Sequence, residues 1–321
     1  MMSKQRPFRF GILAENARTA GELFSTAGRA EETGFATFLI RDHFIEEPFG
    51  HQLAPLAALA TVAAMTKTLR VGSLVFDNDY RHPVMLAKEA ATLDVLSGGR
   101  FELGLGAGFS RLEYEQAGLP YDPPAVRVDR FEEAVQVLKR LFAAEPCTFS
   151  GRHYTVTNLD RYPKPVQRPH PPIHIGAGGK RMLSIAAREA DTIGILTASI
   201  SGGELHSEDP SGRLAESIAQ RIEWVRQAAG ARFDQIELSI FSSVVIAAER
   251  QIAAEEFARA RGWHGIKTEQ VLEMPTVFIG SAGQIVEQME ERRERYGLTY
   301  HVFSDRDLET AAPIVARLAG R

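Results

Sequence analysis

Short apolar runs, each followed by a loop and then by a stretch with helical spacing, recur from one end of this 321-residue chain to the other. That alternation is the pattern of parallel strands joined by crossover helices. Eight runs carry it: Phe10–Ala14, Ala36–Ile40, Leu69–Phe76, Phe101–Leu105, Ile173–Gly176, Thr192–Leu196, a long Ile236–Ala247, and Thr299–Phe303. Between them, Ala20–Thr33 ends at the glycine stop Gly34, Pro55–Thr66 is rich in Ala and Leu, and Met85–Leu96 follows Pro83 and halts at Ser97-Gly98-Gly99. Val128–Phe142 and Thr310–Leu318 are amphipathic, the latter closing the chain. Proline at a helix start and glycine just past its end are the positions those residues tolerate. Eight such units predict an α/β chain folded as a closed (β/α)8 TIM barrel, for which roughly 250 residues is typical. A doubly wound open sheet is the runner-up. The surplus length falls in insertions after strands four and six: Phe109–Arg127 with Cys147–Pro172, and Thr197–Arg213, which is Gly/Ser/Asp-rich and reads as a mobile loop. No linker divides the chain, so residues 1–321 are read as one domain.

Composition narrows the function classes. Thirty-seven basic against 41 acidic residues give a formal charge of −4 with no long single-sign run, which argues against a nucleic-acid partner. One cysteine, Cys147, excludes an internal disulfide framework and any cysteine-built metal centre. Met1 to Phe8 has no apolar leader core, and no apolar stretch approaches the roughly 20 residues of a membrane helix. A cytoplasmic protein with no membrane partner is the expectation.

In a parallel barrel the residues just after each strand form the active-site rim. Strand two is followed by Arg41-Asp42-His43-Phe44, strand three by Asp77, Asn78, Tyr80, Arg81 and His82, and strand four by Gly106-Ala107-Gly108 with Glu113 beyond. Asp42-His43 reads equally as a capping Asp beside a structural histidine, and Glu113 as a carboxylate at a helix start. Gly104-Leu105-Gly106-Ala107-Gly108 is no dinucleotide fingerprint, because Phe109 stands where the third glycine belongs. After strand five, Gly176-Ala177-Gly178-Gly179 precedes Lys180-Arg181 at the start of an amphipathic stretch. Backbone N–H groups exposed there make an anion cradle, most simply for a cofactor phosphate, and a glycine with positive φ would fit such a turn. Serine-hydrolase and ATPase motifs are absent. His170 and His174 are four apart among prolines that preclude a helix, so no metal site is expected.

Three blocks of sequence carry a resemblance: Arg81-His82-Pro83-Val84 through Asp94, Leu96-Ser97-Gly98-Gly99-Arg100 with Leu103 to Gly108, and Pro163-Lys164-Pro165-Val166-Gln167 with Pro171-Pro172-Ile173. With the later Phe278-Ile279-Gly280-Ser281, they resemble the bacterial luciferase-like superfamily over nearly the whole chain, in order. The resemblance implies a (β/α)8 barrel that binds a flavin or a deazaflavin. Arg41-Asp42-His43-Phe44 resembles the branch that uses the deazaflavin coenzyme F420, and Glu113 falls where that branch's sugar-phosphate dehydrogenases place an acid near the ring.

On that resemblance His43 and Glu113 are the catalytic candidates. Asp42, Ser73, Leu74, Ala107, Gly108, Gly176, Ala177, Gly178 and Gly179 are the coenzyme-binding ones, with a non-prolyl cis peptide expected at Ser73-Leu74. The sequence departs from those dehydrogenases in two places: Glu47 stands where they have an aromatic residue four positions after the histidine, and Thr197–Glu208 has no Lys or Arg to hold a substrate phosphate. The implied activity is hydride transfer between F420 and a small organic substrate of the enone, imine or dehydro-residue class rather than a phosphosugar. An FMN-dependent monooxygenase and a catalytically inactive binding subunit are the alternatives, and a homodimer is the expected assembly.

Overall fold

The computed structural model describes residues 6–321, so the first five residues of the Met1 to Phe8 reading lie outside it. Eight parallel strands close on themselves: Arg9–Leu13 (β1), Thr37–Ile40 (β2), Arg70–Ser73 (β3), Phe101–Gly106 (β4), Ile173–Ala177 (β5), Thr192–Ile195 (β6), Glu237–Phe241 (β7) and Leu298–Ser304 (β8). Each pairs with its neighbours in sequence and β8 returns to β1. This is the TIM barrel expected from the alternation. Short buried runs such as TFLI and TIGI have both faces covered, one by the barrel interior and one by the helices, which is why they read as continuous apolar stretches.

Helices Ala20–Glu32 (α1), Pro55–Met65 (α2), Pro83–Leu96 (α3), Arg111–Gln116 (α4), Pro124–Phe142 (α5), Lys180–Glu189 (α6), Ala215–Ala229 (α7) and Arg250–Ala260 (α8) precede Thr268–Glu273 (α9), Ala282–Tyr296 (α10) and Leu308–Leu318 (α11). α1 begins with a capping box between Thr19 and Glu22. α2 and α3 both start on a proline and carry no basic residue in the last turn.

Two strands differ from their sequence ranges. Leu69–Phe76 breaks after Ser73, the chain bulges through a cis Leu74-Val75 peptide, and Phe76–Asp77 then pairs with the end of β4. The non-prolyl cis bond is therefore one residue later than the expected Ser73-Leu74. Ile236–Ala247 is two strands: Ser242 makes the last barrel bond, to Val302 O, and Ser243–Ile246 then pairs in parallel with Val277–Gly280. A change of partner leaves no mark on a run that stays apolar throughout. The insertions hold hairpins that the sequence did not announce, Cys147–Ser150 with Thr155–Leu159 and Ser199–Ser201 with Glu204–His206.

The N-terminal end of the barrel is plugged by a polar network. Arg9 reaches Glu102 at 2.5 Å and Glu237 at 2.7 Å, Arg70 reaches Glu102 at 2.5 Å, and Tyr300 Oη meets Thr37 Oγ1. Glu102, Thr37, Tyr300 and His174 are buried. Burial alone would raise the Glu102 pKa, and the two guanidiniums more than reverse it, so the carboxyl stays ionised. Chemistry is left to the opposite, C-terminal end.

Candidate active site

At that end the chain leaves β2 through Arg41, Asp42, His43 and Phe44. His43 Nδ1 lies 2.7 Å from Glu113 Oε2, and the Phe44 N–H donates to the other oxygen of the same carboxylate. Glu113 sits on α4, just past β4, and is wholly buried. Burial would lift its pKa, but the bond to His43, the attraction between them and the Phe44 N–H hold it below the ordinary carboxylate value. An ionised Glu113 accepts only, so Nδ1 of His43 carries the hydrogen and Nε2 is left for chemistry.

The imidazole is also fixed in plane. Phe49 stacks on it with ring centroids 3.5 Å apart and a 3° interplanar angle, and Phe109 stands edge-on to both rings. Glu47 stands where an aromatic residue was expected after His43, and Phe49, two residues further on past a cis Glu47-Pro48 bond, stacks on the imidazole instead. Tyr80 stacks on Phe44 at 4.3 Å beside the dyad. Asp42 is engaged elsewhere: Arg81 holds both of its oxygens, and the Asp77 N–H donates to one. Its carboxylate thus braces the end of β2 against the segment after β3.

The bulge and the glycines of β4 fit one another. A Cβ on Gly104 would fall 1.9 Å from Ser73 O, and one on Gly106 2.7 Å from a Val75 methyl. Ser73 Oγ donates to Gly104 O at 2.9 Å. Gly108 has φ +70°, and a Cβ there would strike Tyr114 Oη and the Asp77 carboxylate. The glycine spacing that mimics a nucleotide fingerprint is thus set by close strand approach and one left-handed turn. Ala107 lies beside Gly108 on this rim and is partly buried.

After β5, Gly179 is the N-cap of α6 with no side-chain cap, so the first-turn N–H groups are free of side-chain acceptors. Gly176, Gly178 and Gly179 do not have positive φ, contrary to the sequence expectation for this turn. Their role is absence of bulk: nothing lies within 4 Å of a Cβ on Gly179, while one on Gly178 would press on Leu196 O at 3.3 Å. Ala177 is buried as the last residue of β5. Behind the loop, Arg221 of α7 donates to Gly178 O and Gly212 O with no carboxylate partner among the described residues. Arg181 is instead tied to Asp129 on α5. An uncapped helix start, side-chain-free backbone and an uncompensated cation behind it fit a phosphate-bearing coenzyme. His170 and His174 do not meet as a pair, since His170 bonds the Pro171 carbonyl and His174 is in the barrel plug.

A second group of cations, one at the end of the Thr197–Arg213 insertion and one past α8, stands at the ends of β6 and β7. Arg213 Nη1 donates to Thr197 Oγ1 at 3.1 Å, Arg261 Nη2 to Ser243 Oγ at 3.1 Å, and both guanidiniums lie 5.7 Å from the Trp263 ring.

The sequence profile described as luciferase-like monooxygenase matches residues 7–300. The chain is 32% identical over 234 residues to an F420-dependent glucose-6-phosphate dehydrogenase of Kineococcus radiotolerans, covering 68% of this chain and 67% of that protein. It therefore spans about two thirds of that relative's length. Among solved structures, the F420-dependent tetrahydromethanopterin reductase of Methanopyrus kandleri superposes with a TM-score of 0.75 at 18% identity, over 98% of each chain. The monooxygenase RslO1 of Streptomyces bottropensis does so at 0.75 and 21%, over 97% of this chain and 98% of that one. At those identities the likeness is one of fold.

Proposed function

This chain belongs to the luciferase-like monooxygenase family, and from that premise we propose that it transfers hydride between coenzyme F420 and a small organic substrate. The observation that carries the reading is the His43–Glu113 pair at 2.7 Å, set on the same rim as the glycine-rich loop Gly176 to Gly179. Coenzyme F420, when bound, supplies a ring carbon able to take or give hydride; the protein supplies orientation and the proton. Ser73, Leu74, Ala107 and Gly108 would lie against the ring, and Gly176 to Gly179 would hold the phosphate of its tail. An alcohol that loses hydride must also lose its hydroxyl proton, and His43 Nε2 takes it while ionised Glu113 stabilises the imidazolium. In the reducing direction the protonated ring returns that proton to the new alkoxide or carbanion. Phe49 keeps Nε2 aimed throughout.

The reading is tested by titrating the purified apoprotein separately with reduced F420 and with FMN. F420 binds at micromolar levels or tighter, and FMN at least about tenfold more weakly, a difference of about 1.4 kcal/mol. Equal affinities, or oxygen-consuming turnover with FMN, would replace it by the monooxygenase reading, after which the Streptomyces neighbour is named. Binding without turnover of any substrate would leave the inactive binding subunit, against which the intact dyad and cradle stand.

Substrate class needs revision in one respect. Thr197–Glu208 has no Lys or Arg, and an uncharged enone, imine or dehydro-residue was expected on that ground. The structure removes the ground, because Arg213 and Arg261 come to the same end of the barrel from further along the chain. The Kineococcus relative is named for a phosphosugar, which sits with those cations and against the expectation. A homodimer and a cytoplasmic location complete the proposal. The first is supported by α2, whose outward residues Ala57, Thr61, Ala64 and Met65 carry no charge, and by exposed Met85 and Leu96 on the adjoining α3. For the second, no helix among the described residues is long and apolar enough to cross a membrane.

A further inference from the structure

We propose that a cavity among α8, α9 and α10 is a binding site for a small zwitterion, an α-amino acid by its chemistry, whose carboxylate meets Arg292 and Arg250 and whose ammonium meets Glu273 and Glu287. The site is apart from the His43 rim, and the inference goes beyond the proposed function without resting on it.

The cavity measures about 380 Å3, and no residue of the eight barrel strands or of the His43 rim lines it. α10 contributes Gln284, Glu287, Gln288, Glu291, Arg292 and Arg295, spaced by three and four residues along one helical face. Ile285 and Met289 of the same helix are fully buried in the core, so the stripe is the polar side of an amphipathic helix. Two sets of bonds tie the walls together. Ile279 O accepts from Arg250 Nε and from Gln288 Nε2, each at 3.0 Å, which joins the start of α8 to α10. Arg292 Nη2 donates to Leu272 O at 2.9 Å, which joins α9 to α10. The cavity is therefore preformed, with its three walls fixed relative to one another.

Its charges identify the occupant. Arg292 is 5% exposed, and its only acceptors among the described residues are Leu272 O and Glu291 Oε2, too few for the five N–H groups of a guanidinium. Its Nε is buried with no partner. A buried charged donor without an acceptor is costly, and a carboxylate brought to this guanidinium removes the cost. Burial, joined by the charges of Arg295 and Arg250, holds the Arg292 pKa below the ordinary arginine value in spite of Glu291 and Tyr296. Arg250, Arg295, Glu273 and Glu287 also line the cavity, yet none of the four is in an ion pair among the described residues. Two cations and two carboxylates that share one cavity without closing on each other are complemented by a molecule carrying both signs. Phosphate would meet Glu273 and Glu287 as like charges, and a simple amine would meet the arginines.

Calorimetric titration of the purified protein with L-glutamine tests the assignment, since that probe joins one carboxylate and one ammonium to an uncharged polar side chain. Binding should be saturable, and acetate, ethylamine and inorganic phosphate should each bind at least about tenfold more weakly. Arg292→Gln should weaken L-glutamine by about tenfold or more, with Arg292→Lys retaining part of the affinity. Arg292 also holds α9 in place, so Glu287→Gln and Arg295→Gln, both at exposed positions, give the same answer if the Arg292 variants do not fold: each should weaken L-glutamine several-fold at unchanged Tm. His43→Ala should bind L-glutamine as the unmodified protein does, and a loss there would put the ligand on the rim and overturn the assignment. So would phosphate binding more tightly than L-glutamine, the absence of saturable heat with L-glutamine, or Glu287 and Arg295 variants that bind like the unmodified protein. No coenzyme enters these titrations, so their outcome is independent of whether F420 binds.

Discussion

Phe49 lies flat on His43, and Glu113 closes the other constraint on the ring; between them the imidazole has one orientation and one free nitrogen. His43→Ala should therefore lower kcat on the order of 10²-fold while the F420 dissociation constant hardly moves. A variant that melts earlier yet turns over normally would show that His43 only packs. His43 and Glu113 were legible one at a time, each from its place just after a strand. Their pairing was not, because 70 residues separate them and only the parallel pairing of β2, β3 and β4 sets their ends on the same rim. Phe49 was missed because spacing was counted along the chain, and the turn at Pro48 makes the sixth residue after His43, not the fourth, the one that stacks. Asp77 is the other residue with an environment invisible in sequence. Burial, with the charges of Asp79 and Asp42 nearby, raises its pKa to about 7, against opposing bonds from the Asp79 N–H and Tyr114 Oη. An unfolded chain ionises this carboxyl near 3.8, so between pH 4 and 7 the folded protein holds a proton that the unfolded one has lost. The Asp77 contribution to stability thus falls as pH climbs through that window and levels off above it. Urea melts of Asp77→Asn and wild type should diverge in favour of the variant between pH 4.5 and 8, by an amount on the order of a few kcal/mol. Parallel stabilities at the two pH values would mean that Asp77 is ionised throughout.

Among the elements, the loop from β5 into α6 keeps the exposed backbone expected of an anion cradle but not the left-handed turn offered beside it. Three glycines before a helix marked it, yet none has the left-handed conformation that would have demanded glycine. What the loop has is backbone that a phosphate can approach, with a Cβ on Gly178 already in tight contact with Leu196 O. Gly178→Val should weaken F420 several-fold or more and weaken a truncated deazaflavin lacking the phosphate tail much less. Equal losses for both ligands in a protein of unchanged Tm would remove the phosphate from this loop. Strands were read well where pairing stays constant along a run, as in β2 and β6, and misread where it switches. Ile236–Ala247 keeps its apolar character across Ser242 while its partner changes from β8 to Val277–Gly280. The hairpin in Thr197–Arg213 reads as loop because Ser-Ile-Ser alternates over only three residues, too short a run to mark a strand. It is fastened down: the Arg111 N–H donates to Gly203 O and its Nε to Gly202 O, tying the hairpin to the start of α4.

For the molecule as a whole, eight repeats of one local pattern favoured the (β/α)8 barrel over a doubly wound open sheet, and the strand pairing closes it. Assembly is less local. An uncharged outer face on α2 and the exposed Met85 and Leu96 on α3 predict a homodimer of about 71 kDa, twice the 35.4 kDa chain. Met85→Glu with Leu96→Glu should yield a monomer by sedimentation with F420 binding intact, and a double variant that sediments as wild type would place the interface elsewhere. The ionic plug of Arg9, Arg70, Glu102 and Glu237 at the floor of the barrel bears on traffic. With the floor closed, everything that reaches the rim arrives by one doorway. If the proposed coenzyme's ring lies deeper there than the substrate, arrival is a queue of fixed order, and excess substrate should slow turnover in a way that added coenzyme relieves.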